Sequence, residues 1–456
     1  MQNDIFRQPV GLPAGDVLED WNAVLLNVMS HGAAAPVHLA RVLAAAPDFA
    51  KAHAVKGLFL MLLGRRELIA DARSALAEAR AAMERQAPLV NEVPFVDALA
   101  DWLDARPEAA AERFEIVLTD HPDDTLAMKM GHAIRFVLGD ATEMRASVEK
   151  VLPAYAPDHP GRGYVLGCHA FALEETGAYL KAEIAGRQAL WMAADDAWGL
   201  HAVAHVHDMT GNASRGLDWL SGREAAWAHC NNFRTHVWWH KALMHLDLGQ
   251  ADAALALYDR DIRHDRTDDY RDISNATSLL MRLELEGVDV GTRWEELAEL
   301  SANRTEDGCL IFADLHYMLA LTRTGRNDPA AALLARIGAD AARGGSEMRR
   351  RMARPGLPAA LGLEAFGDGR FDVAFAHLSE ARDTMQLAGG SHAQRDIFER
   401  MTIDAGLRAG RLEAAEWLLD DRRRKRGGHD DGYSAARRKL INSARAAAAQ
   451  QSVPAE

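Results

Sequence analysis

The sequence predicts an all-α protein of stacked helical hairpins, and three observations carry that reading. Glycines at Gly139, Gly177, Gly211, Gly249, Gly287 and Gly325 stand 38, 34, 38, 38 and 38 residues apart, and each closes an apolar run with helical periodicity. A unit of that length holds two antiparallel helices and cannot bury its apolar face alone, so neighbours must stack into a solenoid. No strand-like alternation of useful length interrupts the pattern. With 456 residues, 48% of them hydrophobic, and only 15 prolines, the chain has the material for one long stacked core.

Taken in order, Phe49 to Leu63 reads as a helix ending at Gly64, with alanine-rich Arg73 to Arg85 as its partner. His121-Pro122-Asp123-Asp124 forms a turn and supplies an N-cap for a helix from Thr125 to Leu138. The hairpin period then continues to Gly325. Beyond it Gly369 and Gly410 follow at 44 and 41 residues, with Gly344-Gly345 and Gly389-Gly390 between, which predicts longer loops there. Residues 1–430 are expected to form a single solenoid and 431–456 a C-terminal helix with a loose tail. The fold class is therefore tetratricopeptide-type hairpins in a right-handed solenoid.

Composition excludes several function classes. Cys168, Cys230 and Cys309 are scattered and form no CxxC, so neither a disulfide framework nor a thiolate zinc site is expected. The start, Met1 to Gly11, lacks a basic segment followed by an apolar one, and no run of about 18 apolar residues occurs. A cytoplasmic protein without a membrane partner is expected. The net charge of -14 repels phosphate backbones, so no nucleic-acid partner is expected either; the basic runs Arg349 to Arg351 and Arg422 to Arg426 read as solvated helix ends. There is no GxGxxG, P-loop or GxSxG to support nucleotide use or α/β-hydrolase chemistry.

Several segments stand in a specific order: Ala170-Phe171-Ala172-Leu173-Glu174-Glu175-Thr176-Gly177, Asp196-Ala197-Trp198, and His201-Ala202-Val203-Ala204-His205-Val206-His207-Asp208-Met209. Trp238-Trp239-His240-Lys241-Ala242-Leu243, Glu286 to Gly291 before Arg293-Trp294, and Gly389-Gly390-Ser391-His392-Ala393-Gln394-Arg395-Asp396 follow. Together they resemble the tetratricopeptide repeat protein 38 family from about Ala45 to Arg424. The resemblance implies an all-helical repeat fold and names no reaction. Where an Arg-Glu pair and a following histidine would complete the pattern, this chain has Asn91-Glu92 with Phe95 nearby.

The candidate chemistry lies in the histidines. His201 and His205 are four apart and Asp208 three further, which sets all three on one helical stripe; His236 and His240 repeat the spacing in the next unit beside Trp239. An HxxxH pair places two imidazoles toward one point, so these four are the candidate metal ligands. Two other readings stand beside that one: packing histidines bonded to neighbouring polar groups, and a ligand pocket without metal. His240 and His316 share one offset from their closing glycines, with Ser278 between, which predicts a common face lining a concave groove. His392, Arg395 and Asp396 could close one end. His207 falls off the stripe and is expected at the surface, while the tryptophans from Trp191 to Trp239 are expected mostly to pack between helices.

Candidate catalytic groups are Glu174, Asp208 and His392. Glu174 and Glu175, adjacent on a helix and about 100° apart, read more simply as structural ion pairs, and Ser391 as an N-cap rather than a nucleophile. The favoured expectation is a binding scaffold whose groove, lined by His201, His205, His236, Trp239, His240, His316, His392, Arg395 and Asp396, takes a peptide, protein or small molecule without a required cofactor. The alternative is an enzyme, a metal-dependent hydrolase, in which the HxxxH pairs hold a divalent transition metal. Closure of the solenoid over its groove would turn a peptide surface into a small-molecule chamber.

Overall fold

The computed structural model describes residues 2–451, and these form an α-helical solenoid of TPR-like hairpins. The one sheet among the described residues is a small antiparallel pair, Gln2–Asn3 against Pro9–Val10, which the sequence reading missed because two-residue strands leave no alternation to read. From Asp16–Ser30 onward each helix packs chiefly against its neighbours in the chain. The apolar interior runs in two long blocks, Phe6 to Val206 and Trp239 to Met401, with a smaller block around Trp219 and Trp227 between them. No described helix is long and apolar enough to cross a membrane.

The glycine series marks helix ends as expected. Gly139, Gly177, Gly211, Gly249, Gly287 and Gly325 all adopt left-handed φ between 66° and 81°. After each, the next residue turns its N–H back onto the carbonyl five positions earlier: Ala178 to Leu173 at 2.8 Å, Gln250 to His245 at 2.9 Å, Arg326 to Leu321 at 3.0 Å. This cap satisfies carbonyls the helix end would otherwise leave open. Ser391 is likewise the expected N-cap, forming a reciprocal box with Gln394.

The segment after Gly325 departs from expectation. Its extra residues fold into the short helix Glu347–Arg351 and the turn Met385–Ala388 rather than longer loops. These pieces close the solenoid into a ring. A Cβ on Gly139 would overlap the Gln386 carbonyl oxygen, and one on Gly389 would overlap the Val137 carbonyl oxygen, so two backbones about 250 positions apart in the chain touch directly. Arg351 spans the junction, donating to the carbonyls of Leu138 at 2.6 Å and Leu387 at 2.8 Å and to Glu108 at 3.0 Å.

A second junction joins the early repeats to the middle of the chain, where Arg65 meets Asp268 at 2.9 Å and Arg304 meets Glu67 at 2.6 Å. A third joins Arg426 to Asp208 and to the Met209 sulfur. The expectation that the two arginine runs are solvated holds for Arg350, Arg423, Arg424 and Lys425, which are exposed, and is corrected for Arg351, Arg422 and Arg426, which are 7%, 3% and 3% exposed. A planar guanidinium reaches several carbonyls and carboxylates at once, which suits it to backbone junctions that leave acceptors unpaired. The helix Gly432–Gln451 packs Tyr433 and Ile441 on Ile403 and Leu419, and Arg437 ties it to Glu286 at 2.8 Å. The loose tail expected at 452–456 lies outside the described residues.

Gly249 and Gly139 separate the two roles of glycine, since a Cβ on Gly249 meets nothing within 4 Å. Gly249→Ala is expected to cost about 1–2 kcal/mol, the left-handed backbone term alone. Gly139→Ala should cost clearly more, because the ring junction must also open. Scanning calorimetry of the two variants gives the comparison, and equal losses in Tm would show that the junction carries no load.

Candidate functional site

The site is built by two successive inner helices, Ala197–Met209 and Phe233–Asp247. The first starts at Asp196, whose carboxylate accepts the Gly199 N–H at 3.2 Å. It lies unusually close to the helix Arg162–Glu175, because Gly167 and Gly199 have no side chains where the helices meet; a Cβ on either would strike Asp196 or the partner helix. That approach brings Phe171 to 5.6 Å from His201 and Glu174 beside His205. The second helix starts after Asn231, whose Oδ1 accepts the Phe233 N–H at 2.9 Å.

The two HxxxH pairs face each other between the large core blocks. His201 Nε2 lies 2.8 Å from His205 Nε2, 3.0 Å from His236 Nε2 and 3.1 Å from His240 Nε2, and His236 and His240 are 3.2 Å apart through the same atoms. One ligand atom from each residue falls within 4.8 Å of all the others. His201, His205 and His240 are at most 1% exposed and His236 is 9% exposed.

This geometry cannot be satisfied by hydrogen bonds among the four rings. His201 Nε2 carries at most one hydrogen, which serves one of its three contacts; the others would set lone pair against lone pair. One outward contact fixes a tautomer: His236 Nδ1–H donates to Asn275 Oδ1 at 2.9 Å, which turns its Nε2 lone pair inward. His205 Nδ1 lies 3.3 Å from Glu174 Oε2, an ion-pair contact without hydrogen-bond geometry. Burial holds His236 down at about 3, and burial with the neighbouring imidazoles holds His201 and His240 well below the ordinary histidine value. Burial also works against charge on His205, but the Glu174 carboxylate outweighs it and raises that pKa.

The spacing suits a cation. An ion held by nitrogens at about 2.0–2.1 Å has neighbouring donors about 2.9 Å apart in square or octahedral geometry and about 3.3 Å apart in a tetrahedron. The observed contacts span those values. Glu174 and Glu175 form a buried group with His205, but they meet it on the Nδ1 side, as supports for a ligand rather than as a second centre. His392 lies 3.6 Å from each of the two carboxylates, its N–H donates to Glu175 at 2.9 Å, and Arg395 reaches Glu175 at 3.4 Å. His392 and Arg395 thus pack against the Glu174–Glu175 pair.

Other expected residues lie elsewhere. Asp208 meets Arg426 at 3.2 Å rather than the histidine pairs: it lies on the same stripe but two turns beyond His201, at the end of the helix where the C-terminal junction packs. Asp396 is held by Arg400 and Arg422, each at 2.7 Å. His316 is fully buried with Nδ1 3.1 Å from Thr277 Oγ1, between Phe312 and Phe398, so the shared glycine offset did not bring it to His240. Trp239 is fully buried, stacked on His236 at 5.2 Å, and lines no groove. His207, expected at the surface, is 4% exposed beneath Gly216, whereas Trp191 is 87% exposed.

The space inside the solenoid holds a partly open chamber of about 370 Å³. Of the four clustered histidines only His236 borders it, alongside Trp198, Phe233 and Asn275. His31 also borders it, stacked on Phe233 at 4.5 Å and on Trp198 at 5.3 Å, with Lys129 and His132 nearby. Sequence reasoning missed these three. A lysine flanked by Met128 and Met130 inside an apolar helix was the signal available for Lys129.

No family model matches the chain. Among solved structures, it is similar to the human IFIT1 dimer with m7Gppp-AAAA at a TM-score of 0.40 and 14% identity, over 96% of each chain. A monomeric mutant of IFIT1 with Gppp-AAAA gives 0.39 and 14%, over 86% of this chain and 90% of that one. Naa15/Naa10 bound to HypK-THB gives 0.25 and 13%, over 90% of this chain and 63% of that one. These are likenesses of helical-repeat architecture, and no residue role passes through them. The exclusion of nucleic acid drawn from net charge gains no support from them.

Asp208→Asn is expected to weaken the Arg426 junction by about 1–3 kcal/mol while leaving the histidine cluster intact. Urea denaturation measures the loss. The histidine ring resonances in an NMR spectrum should stay in place, and shifts in the His201 and His205 signals would tie Asp208 to the site after all.

Proposed function

We propose that this chain is a metalloprotein in which His201, His205, His236 and His240 hold one divalent transition-metal ion that acts on a small organic molecule taken into the adjoining chamber. The convergence of four Nε2 atoms, with Nδ1 of His236 and His205 turned outward to Asn275 and Glu174, carries the reading. Imidazole donors suit zinc, iron, copper or nickel, and outer partners of this kind fix ring orientation and raise ligand basicity. The family-like segments support it from another side. The stretches that resemble the tetratricopeptide repeat protein 38 family include the Glu174 helix end, both HxxxH helices and the Gly389 to Asp396 turn, and these meet around one point; we assign the chain to that family on this basis.

The ion supplies Lewis acidity to water or to a polar group of the ligand, which keeps hydrolysis as the reaction class. Of the four residues that would hold the ion, His236 is the one that borders the chamber, so a ligand there would reach the ion past its ring. Glu174 touches His205 and not the chamber, so it acts as a positioning residue. The rival picture of a peptide lying in an open groove has lost its lining, because five of its expected residues, His201, His205, Trp239, His240 and His316, are no more than 1% exposed.

Elemental analysis of untagged protein purified without chelator tests the proposal. One transition-metal ion per chain is expected, lost in the double variant His201→Ala, His205→Ala and retained in His316→Ala. Asn275→Leu should weaken metal affinity by about 10–100-fold through loss of the outer contact. Protein that takes up no metal after incubation with zinc, iron or manganese would overturn the reading.

A further inference from the structure

Lys129 is the part of the chamber that a metal centre leaves unexplained. Its helix is apolar around it, with Met128 and Met130 each 1% exposed, and Lys129 itself is 6% exposed and borders the cavity. Its ammonium meets His31 Nε2 at 3.1 Å and the Cys168 sulfur at 3.9 Å, and stands 5.0 Å from the centre of the Trp198 ring. None of these is an anion. Burial pushes the Cys168 thiol up to about 11, and burial together with the Lys129 charge holds His31 well below its ordinary value, so both are neutral near pH 7.

No carboxylate oxygen among the described residues lies within 4.0 Å of the Lys129 nitrogen. Asp196, the acid that senses Lys129, caps its helix through Oδ2 and leaves Oδ1 buried without a partner; burial pushes it up to about 7 against the pull of Lys129, and it makes no direct contact with the ammonium. The other cation at the chamber wall, Arg271, is already taken by both oxygens of Asp269 at 2.9 and 2.6 Å. A charge withdrawn from water without a counter-ion is strongly unfavourable. Of the two cations that line the chamber, Lys129 is therefore the one with no carboxylate in direct contact.

Two further donors point the same way. His132 accepts the Trp198 indole N–H on Nε2 at 3.2 Å, which places its own hydrogen on Nδ1, and that atom is buried without a partner. The Asn232 side-chain amide nitrogen is also buried and unpartnered. Both residues border the cavity, whose remaining wall includes Phe59, Phe136 and Phe312. Unused donors and aromatic surface lining one cavity describe a ligand with an acceptor-rich, negative head and an apolar body.

We propose that the chamber selects a small organic monoanion, a carboxylate with an apolar or aromatic body, whose head pairs with Lys129 and whose body runs along the aromatic wall toward His236. A single free cation sets the charge at one, and about 370 Å³ sets the size near that of a one-ring acid. The inference deepens the metal reading by naming its substrate class, and rests on that reading only for what happens at His236. The anion site itself stands on Lys129.

Titration calorimetry on the full chain with phenylacetate, phenylacetamide and inorganic phosphate tests it. The acid should bind wild-type protein at least 10-fold tighter than the neutral amide and than phosphate. Lys129→Met should erase the preference by weakening the acid alone, the unchanged amide reporting an intact chamber, and Lys129→Arg should restore it. The acid preference should survive in the His201→Ala, His205→Ala variant; survival in protein that never binds metal would leave this inference standing while the metal reading falls. Equal affinity for acid and amide, no binding of either, phosphate binding as tightly as the acid, a preference retained in Lys129→Met, or one lost with the histidines would each overturn it.

Discussion

The contact between two backbones, Val137 to Gly139 on one side and Gln386 to Gly389 on the other, is the constraint on which the interior depends. A helical-repeat solenoid left open exposes its inner helices to solvent, and polar residues on them would then be ordinary surface groups. Closing the ring makes those same residues interior. Glycine is required on both sides because the approach leaves no room for a Cβ, and Arg351 then neutralises the cost of the junction by taking up the Leu138 and Leu387 carbonyls. The desolvation that lowers His201, His236 and His240, and that isolates Lys129, follows from this closure.

Ring closure also explains why the histidines are buried without being inert. In an interior, each unpaired nitrogen carries a desolvation cost of about 1–3 kcal/mol, and His201 and His240 have no partner for Nδ1 among the described residues. A cluster meant only to staple repeats would spread its donors and acceptors so that each finds a match. The four Nε2 atoms do the reverse and crowd at 2.8–3.2 Å. Partners are present only on the outer side, at Asn275 and Glu174, where they orient the rings.

Much of this was legible in the sequence, and the parts that were not share one physical cause. The hairpin period, the glycine caps and both HxxxH pairs are local patterns, fixed by helix geometry over four to about forty residues, and all of these appear where they were read. The family-like order of segments brought Glu174, His392 and Arg395 to the same place. Contacts between distant turns were not readable: an arginine run has the same composition whether its members meet water, as exposed Arg350 does, or carbonyls across a junction, as Arg351 does. The register argument failed for His316 for a related reason. Equal offsets from closing glycines place residues at one height on successive helices, but each added repeat turns the face, so only adjacent units converge.

Adjacency explains the position of the centre. Two imidazoles four apart on one helix need a second pair on the very next inner helix, and this chain has such pairs only on Ala197–Met209 and Phe233–Asp247. One unit later the corresponding helix offers Asn275, which bonds His236 from outside; one unit earlier it offers Phe171 and Glu174, which pack and support. Polar residues are thus graded along the solenoid, with the clustered imidazoles in two units and their outer contacts in the flanking two. Lys129 and His132 belong to the helix before these, Thr125–Leu138, where closure brings the turn at Gly389 against its end. The same junction therefore also positions Lys129, so the chamber takes its histidine-bearing and its lysine-bearing sides from separate repeats.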